Sequence, residues 1–136
     1  VIIETPGFIS YYSGLQNLKV LAGIKNKIGN LQIRDAMKRV GLDPDLKLSV
    51  KKYSLGMRQR LGLAQAMMES PSVLILDEPM NGLDKNGVEE IRQLLLSMKN
   101  DHKTIVIASH NAEDIQVLCD EVYEMENGKL CNMNTV

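Results

Sequence analysis

The apolar residues between about positions 11 and 70 recur every three or four residues, which is the spacing of one helix face. They predict a first helix that ends at Gly29-Asn30, with an apolar face of Leu15, Leu18, Leu21 and Ala22. A second helix is predicted up to Gly41, with an apolar face of Ile33, Ala36, Met37 and Val40. After a turn at Asp43-Pro44, a third helix begins at Ser54 and runs to about Met68.

The pattern changes after residue 71 to apolar strands that alternate with helices. Residues 73–76 and 104–108 are continuous apolar runs, which predict two buried strands. Between them, residues 88–98 predict an amphipathic helix whose inward face is Ile91, Leu94, Leu95 and Met98. A helix over 111–119 follows, and then a hairpin over 121–130 that turns at Asn127-Gly128. Such alternation predicts an α/β fold with a parallel sheet covered on both faces.

The chain opens on a short β-branched run, residues 1–3, followed by Glu4-Thr5-Pro6-Gly7. This sequence predicts the end of a core strand and its exit loop. Because natural domains seldom open on a core strand, we expect the chain to be a segment of a longer protein. The predicted organisation is therefore a strand end and loop over 1–7, a helical subdomain over 8–70 and a sheet-forming part over 71–136.

Composition narrows the class of protein. A chain of 136 residues with 44% apolar content is enough for one domain with a real core. The net charge is −1, and the basic residues are spread out, so nothing indicates a nucleic-acid partner. No apolar run reaches the eighteen or so residues of a membrane span, so we expect no direct membrane insertion. Two cysteines favour reduced thiols over a disulfide scaffold.

The first predicted strand after residue 71 ends in two adjacent acids, Asp77 and Glu78. Open α/β sheets bind their ligands at this carboxyl edge. Because a strand points successive side chains to opposite sides, the two acids are expected to have different tasks. One could hold Mg²⁺ while the other faces an attacking water as base. Alone, the same residues are equally well explained by a strand and an acidic turn before Pro79.

Three other motifs accompany this acidic pair. Tyr53-Ser54-Leu55-Gly56-Met57-Arg58-Gln59-Arg60-Leu61 places a capping serine and a glycine at a helix N-terminus, where free N–H groups can meet an anion. Met80-Asn81-Gly82-Leu83-Asp84 follows the acids directly. Ala108-Ser109-His110 ends the second apolar strand, where an imidazole can donate to a phosphate or polarise water. Alone, the first of these motifs is better explained as a capped helix, and a lone histidine is more often a capping or structural residue.

Together, in this order and over nearly the whole chain, the motifs resemble the ATP-binding cassette (ABC) family. The resemblance implies a helical signature subdomain joined to the C-terminal part of a P-loop NTPase parallel sheet. It implies ATP and Mg²⁺ as cofactors, with Asp77 on the metal and with Glu78 and His110 as catalytic residues. It further implies that nucleotide is contacted by Ser54 and Gly56 of the signature motif, Asp84 of the D-loop and Glu4 of the Q-loop. Cassettes of this family dimerise head to tail, so Ser54 and Gly56 would serve the partner's nucleotide.

Some positions depart from the commonest family pattern. Leu55 stands where a second signature Gly is usual, and Met57 stands where Gln is usual. Glu4 occupies the usual Gln position and cannot donate an amide proton. With these features the chain resembles the branch of bacitracin-resistance and lantibiotic-immunity exporters. No Gly-x-x-x-x-Gly-Lys-Ser/Thr run occurs in the sequence, so we expect this chain alone neither to bind ATP tightly nor to hydrolyse it.

The resemblance thus implies the nucleotide-binding subunit of an ABC transporter, which hydrolyses ATP to drive export, with peptide antibiotics as a candidate cargo. Its partners would be a second cassette, identical or related, and a transmembrane permease that holds it at the cytoplasmic face of the plasma membrane. Phe8, Tyr11 and Tyr12 either contact the permease or pack the helical subdomain. The alternatives are a soluble ABC-type ATPase without a transport role, and a binding or structural module without catalysis.

Overall fold

The computed structural model describes residues 2–3 and 7–135, with side-chain environments for residues 7–132. A two-residue strand and three helices come first, and strands alternate with helices after them. In chain order the elements are β1 (Ile2–Ile3), α1 (Gly14–Lys25), α2 (Asn30–Arg39), a 3₁₀ turn (Val50–Lys52), α3 (Leu55–Met67), β2 (Val73–Asp77), α4 (Lys85–Asn100), β3 (Thr104–Ala108), α5 (Ala112–Leu118), β4 (Glu121–Glu126) and β5 (Lys129–Thr135).

The prediction that Gly29-Asn30 ends the first helix is wrong. Helix α1 ends at Lys25, because Asn26 adopts the left-handed conformation (φ 52°) that closes a helix. Gly29 instead stands at the N-cap of α2, and its N–H donates to Gln32 Oε1 over 2.7 Å. A Gly-Asn pair predicts a break between two helices, but it does not predict whether the pair ends the first helix or begins the second.

The predicted end of α2 at Gly41 and start of α3 at Ser54 agree with the structure, whereas α4 extends beyond the predicted range 88–98 at both ends. Gly41, at φ 83°, follows the end of α2, and the backbone N–H of Leu42 donates to the Met37 carbonyl over 2.9 Å. Ser54 is the N-cap of α3, where its Oγ accepts from the Met57 N–H over 3.1 Å. Capping chemistry therefore sets where the signature helix begins.

The main sheet is parallel, with strand order β1-β2-β3. Its register pairs Ile75 with Val106 and Asp77 with Ala108, so β2 and β3 end side by side. Strands β4 and β5 form a separate antiparallel hairpin. Its turn is at Asn127-Gly128, as predicted, with both residues at positive φ. The hairpin extends to Thr135, beyond the predicted end at residue 130. The parallel sheet is what brings the loops after β2 and β3 to one edge.

The predicted burial of both sheet faces is wrong for the part of the chain that the structure describes. Leu74 and Leu76 are fully buried against the helices, but Val73 is 46% exposed and Val106 52% exposed. Strand β3, which the apolar run predicts to be buried, has only exposed and half-buried residues. The apolar runs were long enough for two covered faces, yet the described helices pack on the face of Leu74 and Leu76.

A single apolar core joins the helices to that sheet face. Its largest fully buried side chains include members from α1, α2, α3, β2 and α4: Leu18, Met37, Leu61, Leu74, Leu76, Ile91 and Leu95. The methionines Met37, Met67 and Met68 are buried in it. Within the described ranges, no helix is long and apolar enough to cross a membrane.

Candidate functional site

Glu78 and His110 meet at the carboxyl edge of the parallel sheet. Glu78 follows β2 directly and adopts a left-handed backbone (φ 47°), while its N–H donates to the Ala108 carbonyl over 2.8 Å. The backbone N–H of His110, two residues after β3, donates to Glu78 Oε1 over 3.0 Å. A left-handed conformation costs a residue other than Gly roughly 1–2 kcal/mol. The structure thus brings together two predicted site residues that lie 32 positions apart in the chain.

The two side chains of this pair are held differently. The Glu78 carboxylate is 39% exposed and is oriented by the His110 main chain. The His110 imidazole is fully exposed, and its Nε2 lies 3.8 Å from Glu78 Oε1, beyond hydrogen-bond distance. The carboxylate is therefore fixed by a backbone donor, and the imidazole is left free to meet a group that arrives from solvent.

Gln59, in the middle of α3, also fixes the acidic loop. Its Nε2 donates to the Glu78 carbonyl over 3.0 Å. With Leu63, it lines a shallow depression beside Asp77 and Pro79. Sequence reasoning placed Gln59 in the signature motif but gave it no role, because only the packing of α3 against β2 shows which carbonyl it reaches.

Asp77, the last residue of β2, is half-buried in that depression, whereas Glu78 faces His110. Among the described residues, the Asp77 carboxylate has no hydrogen-bond or ion-pair partner. Mg²⁺ is usually held by one or two carboxylates together with water and substrate phosphate oxygens, and an unpaired strand-end carboxylate fits that donor set. The described part of the chain holds no group of three or more His, Cys, Asp or Glu able to form a metal site by itself.

The first turn of α3 packs against the loop after the acids. A Cβ atom at Gly56 would stand 3.0 Å from the Gly82 carbonyl oxygen and 3.5 Å from Leu83 Cδ2. Leu55 lies over Gly82 in the same contact. The absence of a side chain at Gly56 therefore permits the close approach of helix and loop. Ser54 is exposed, and its Oγ, which accepts the capping bond, can still donate its own proton.

Asp84 ends the same loop and begins the next helix. Its Oδ1 accepts from the Gly87 N–H over 2.7 Å, which makes it the N-cap of α4. No hydrogen bond within the described ranges links Ser54, Gly56 or Asp84 to the Glu78–His110 pair. Glu4 lies outside the described residues. The predicted site residues thus form two groups, one at the sheet edge and one at the contact between α3 and the loop over 80–84.

Arg60 joins the two regions of the chain, a role that no motif in the sequence indicates. Its Nη1 donates to the Val40 carbonyl over 2.6 Å and to Glu90 Oε2 over 3.0 Å. A Cβ atom at Gly87 would lie 2.9 Å from Arg60 Nη2. One side chain on α3 therefore contacts the end of α2 and the start of α4.

This arrangement defines a class of protein: an α/β domain whose strand-end acid faces the loop after the neighbouring strand, with a helical region packed on the sheet. The family model described as ABC transporter matches residues 5–81, more than half of the chain. The chain belongs to the ABC transporter family, and the prediction of that family is confirmed.

The relatives of this chain include proteins of the bacitracin and lantibiotic exporter branch that the sequence indicated. An uncharacterized ABC transporter ATP-binding protein of Bacillus subtilis, YybJ, is 44% identical over 96% of this chain and 60% of its own length. The bacitracin transport ATP-binding protein BcrA of Enterococcus faecalis is 42% identical over 95% of this chain and 42% of its own length. The lantibiotic transport ATP-binding protein SrtF of Streptococcus pyogenes is 39% identical over 95% of this chain and 56% of its own length. The chain spans about half the length of these curated relatives.

Solved structures support the fold. The ATP-binding cassette MJ0796, in a dimeric post-hydrolysis state bound to ADP and Pi, superposes with a TM-score of 0.84 at 19% identity. The match covers 99% of this chain and 64% of that protein. At this identity the likeness shows the cassette fold, and the predicted α/β class is confirmed.

Proposed function

We propose that this chain is part of the nucleotide-binding subunit of an ABC transporter, which hydrolyses ATP in a head-to-tail dimer to drive export. The observation that carries the proposal is the hydrogen bond from the His110 N–H to the Glu78 carboxylate at the sheet edge. Similarity to BcrA and SrtF, which are named for bacitracin and lantibiotic transport, supports peptide antibiotics as the cargo.

The proposed chemistry divides between the residues at the sheet edge. Glu78 accepts a proton from the attacking water, and the donors from His110 and Gln59 keep its loop in place. The exposed His110 imidazole donates to a terminal phosphate oxygen. Asp77 would hold Mg²⁺, which when bound neutralises charge on the phosphates.

The second group of residues is proposed to serve the other nucleotide of the dimer. The N-terminus of α3, with Ser54 and Gly56, presents backbone N–H groups to an anion held by the partner cassette. Asp84 and Glu4 complete the proposed nucleotide contacts. Because the phosphate-binding Gly and Lys motif does not occur in this sequence, we propose that this chain alone is inactive and that a complete cassette carries the activity.

The permease contact is proposed to lie next to residues 8–12. Phe8 packs against the core, but Tyr11 is 74% exposed and meets Tyr12 edge-on, with ring centroids 4.9 Å apart. An exposed aromatic side chain on this segment suits a protein contact better than core packing. In this proposal the subunit is held at the cytoplasmic face of the membrane by the permease.

The test is Glu78→Gln in a complete cassette containing this chain. We expect the rate of ATP hydrolysis to fall by about 10²-fold or more, because the base is removed, while ATP still binds. An ATP-dependent dimer should then accumulate and be visible by size-exclusion chromatography with light scattering. Glu124→Gln, on the exposed hairpin, is the matched control and should hydrolyse ATP normally. Wild-type turnover by the Glu78→Gln protein would refute the role of Glu78.

A further inference from the structure

One carboxylate is buried in the described part of the chain, and it lies next to the site. Asp114 is 5% exposed and stands in the first turn of α5, four residues after His110. A buried carboxylate is costly unless it is paired. Asp114 therefore requires a partner, and it lies close behind residues 109–111, the loop that contains His110.

Arg92 of α4 supplies the partner. Its Nε and Nη2 donate to Asp114 Oδ1 over 2.9 and 2.6 Å, and its side chain is only 11% exposed. Its Nη1 also lies 3.7 Å from Glu113 and 3.9 Å from Glu89. The hydrogen bond to Asp114, and then the surrounding acids, raise the pKa of the Arg92 guanidinium, so Arg92 stays charged. Helix α5 is thereby tied to α4 at its first turn.

Hydrogen bonds hold the loop between that turn and Glu78. The Asp114 N–H donates to the Asn111 side chain over 3.0 Å, and the Asn111 N–H donates to Ser109 Oγ over 3.0 Å. The His110 N–H between them donates to Glu78. Only residues 109–111 separate β3 from α5, so a fixed first turn of α5 leaves this loop little freedom.

We propose that Arg92 is a positioning residue for ATP hydrolysis: by gripping Asp114 it holds the 109–111 loop so that the His110 N–H orients the Glu78 carboxylate. The catalytic part of this inference rests on the proposed function, but the geometric part does not. A second ion pair gives a matched comparison. Lys99 of α4 meets Asp120, beyond the other end of α5, at 2.5 Å, but both side chains are largely exposed.

Hydrogen exchange on this chain tests the geometric part. In Arg92→Met, we expect the His110 and Asn111 amides to exchange about tenfold faster or more, because the loop opens more often. Lys99→Met should leave both amides unchanged. The Leu61 amide, in the buried centre of α3, reports global unfolding and should also stay unchanged. Asp114→Asn, which keeps the side-chain shape, is the second variant if Arg92→Met is too unstable. Unchanged exchange at His110, or an equal rise at Leu61, in both variants overturns the inference.

A double-mutant cycle in a complete cassette tests the catalytic part. Arg92→Lys offers one nitrogen in place of two, and we expect kcat to fall about 10-fold, with the KM for ATP changed less than about twofold. In a Glu78→Ala background, which removes the carboxylate that the His110 N–H orients, the same substitution should cause little further loss of the residual rate. Losses that multiply would show that Arg92 does not act through the Glu78 carboxylate. If Glu78→Gln keeps full turnover, the proposed function fails while the exchange result stands.

Discussion

Gly82 lies directly against Leu55: a Cβ atom at Gly82 would stand 2.6 Å from Leu55 Cγ, and the backbone of Gly82 has a φ of 79°. Both facts require glycine. We therefore expect Gly82→Ala to lower the free energy of unfolding by about 2–4 kcal/mol, the sum of a left-handed alanine and a clash. Urea unfolding followed by circular dichroism measures this loss.

Gly128→Ala is the matched control, because Gly128 has a φ of 76° but no atom within 4 Å of its Cβ position. It should show the backbone cost alone, about 1–2 kcal/mol. Adding Leu55→Ala to Gly82→Ala should recover the difference. Equal losses for the two glycines would mean that the Leu55 contact gives way without cost.

Asn17 is expected to be the least replaceable polar residue of the helical region. It is 3% exposed, its Nδ2 donates to the carbonyls of Ile9 and Ser13 over 3.0 Å, and its Oδ1 accepts from the Ile9 N–H over 2.7 Å. Asn17→Asp replaces the donor by a buried carboxylate facing carbonyl oxygens, which should cost about 2–4 kcal/mol at neutral pH. Thermal unfolding at pH 7 would show a lowered midpoint.

The control for Asn17 is the same chemical change one residue earlier. Gln16 Oε1 accepts from the Ser13 N–H over 2.9 Å at an exposed position, and a glutamate can accept that bond equally well. Gln16→Glu should therefore stay within about 0.5 kcal/mol of wild type. A comparable loss in both variants would indicate a general charge effect instead of the buried bonds of Asn17.

Arg60 should matter more for stability than Arg34, which makes a similar ion pair but, among the described residues, donates to no backbone carbonyl. Arg60→Met leaves the Val40 carbonyl and Glu90 without their donor, and we expect a loss of about 1–3 kcal/mol in unfolding free energy. Arg34→Met breaks the exposed pair with Asp45 (2.8 Å) and should cost at most about 1 kcal/mol. Chemical denaturation of both variants decides between them, and a larger loss for Arg34 would contradict the proposed bridge.

The two thiols should differ in reactivity. Burial, and then the neighbouring Asp120, raise the pKa of Cys119, which keeps it protonated, while Cys131 is exposed. Because the thiolate is the reactive form, iodoacetamide at pH 8 should modify Cys131 first. Mass spectrometry over time should show one fast and one slow site, and Cys131→Ser should leave only the slow one. Faster modification of Cys119 would contradict its burial.

The raised pKa of Cys119 also contributes to the pH dependence of the free energy of unfolding. The unfolded chain loses the Cys119 proton at a lower pH than the folded chain does. The contribution of this group is therefore fully present below the ordinary thiol pKa and is lost as the pH rises through the raised value. Cys119→Ala should remove that part of the alkaline decline in unfolding free energy.

The sequence predicted local features well. Ser54 as a helix cap, Gly41 as a helix end and the Asn127-Gly128 hairpin turn depend on a few adjacent residues, and each agrees with the structure. The motifs also located Glu78 and His110, because both lie at strand ends that a parallel sheet brings to one edge.

The sequence did not predict the features that depend on contacts between elements distant in the chain. The grip of Arg92 on Asp114 joins residues 22 apart, and Arg60 reaches Val40 across 20 positions. No spacing rule connects such residues. The burial of both sheet faces was predicted from apolar strands alone, but the exposure of Val106 depends on which helices pack where.

The contact between Gly56 and the Gly82 carbonyl has a kinetic consequence for the proposed pair of cassettes. Gly56 would face the nucleotide of the neighbouring subunit, while Gly82 lies in the loop that follows the chain's own Glu78. Because a Cβ atom at Gly56 would stand only 3.0 Å from the Gly82 carbonyl oxygen, the helix and the loop are in close contact, and neither can move toward the other without displacing it. Binding of ATP at one nucleotide site would then change the rate of hydrolysis at the other. The rate of ATP hydrolysis should therefore depend on ATP concentration with a Hill coefficient above one.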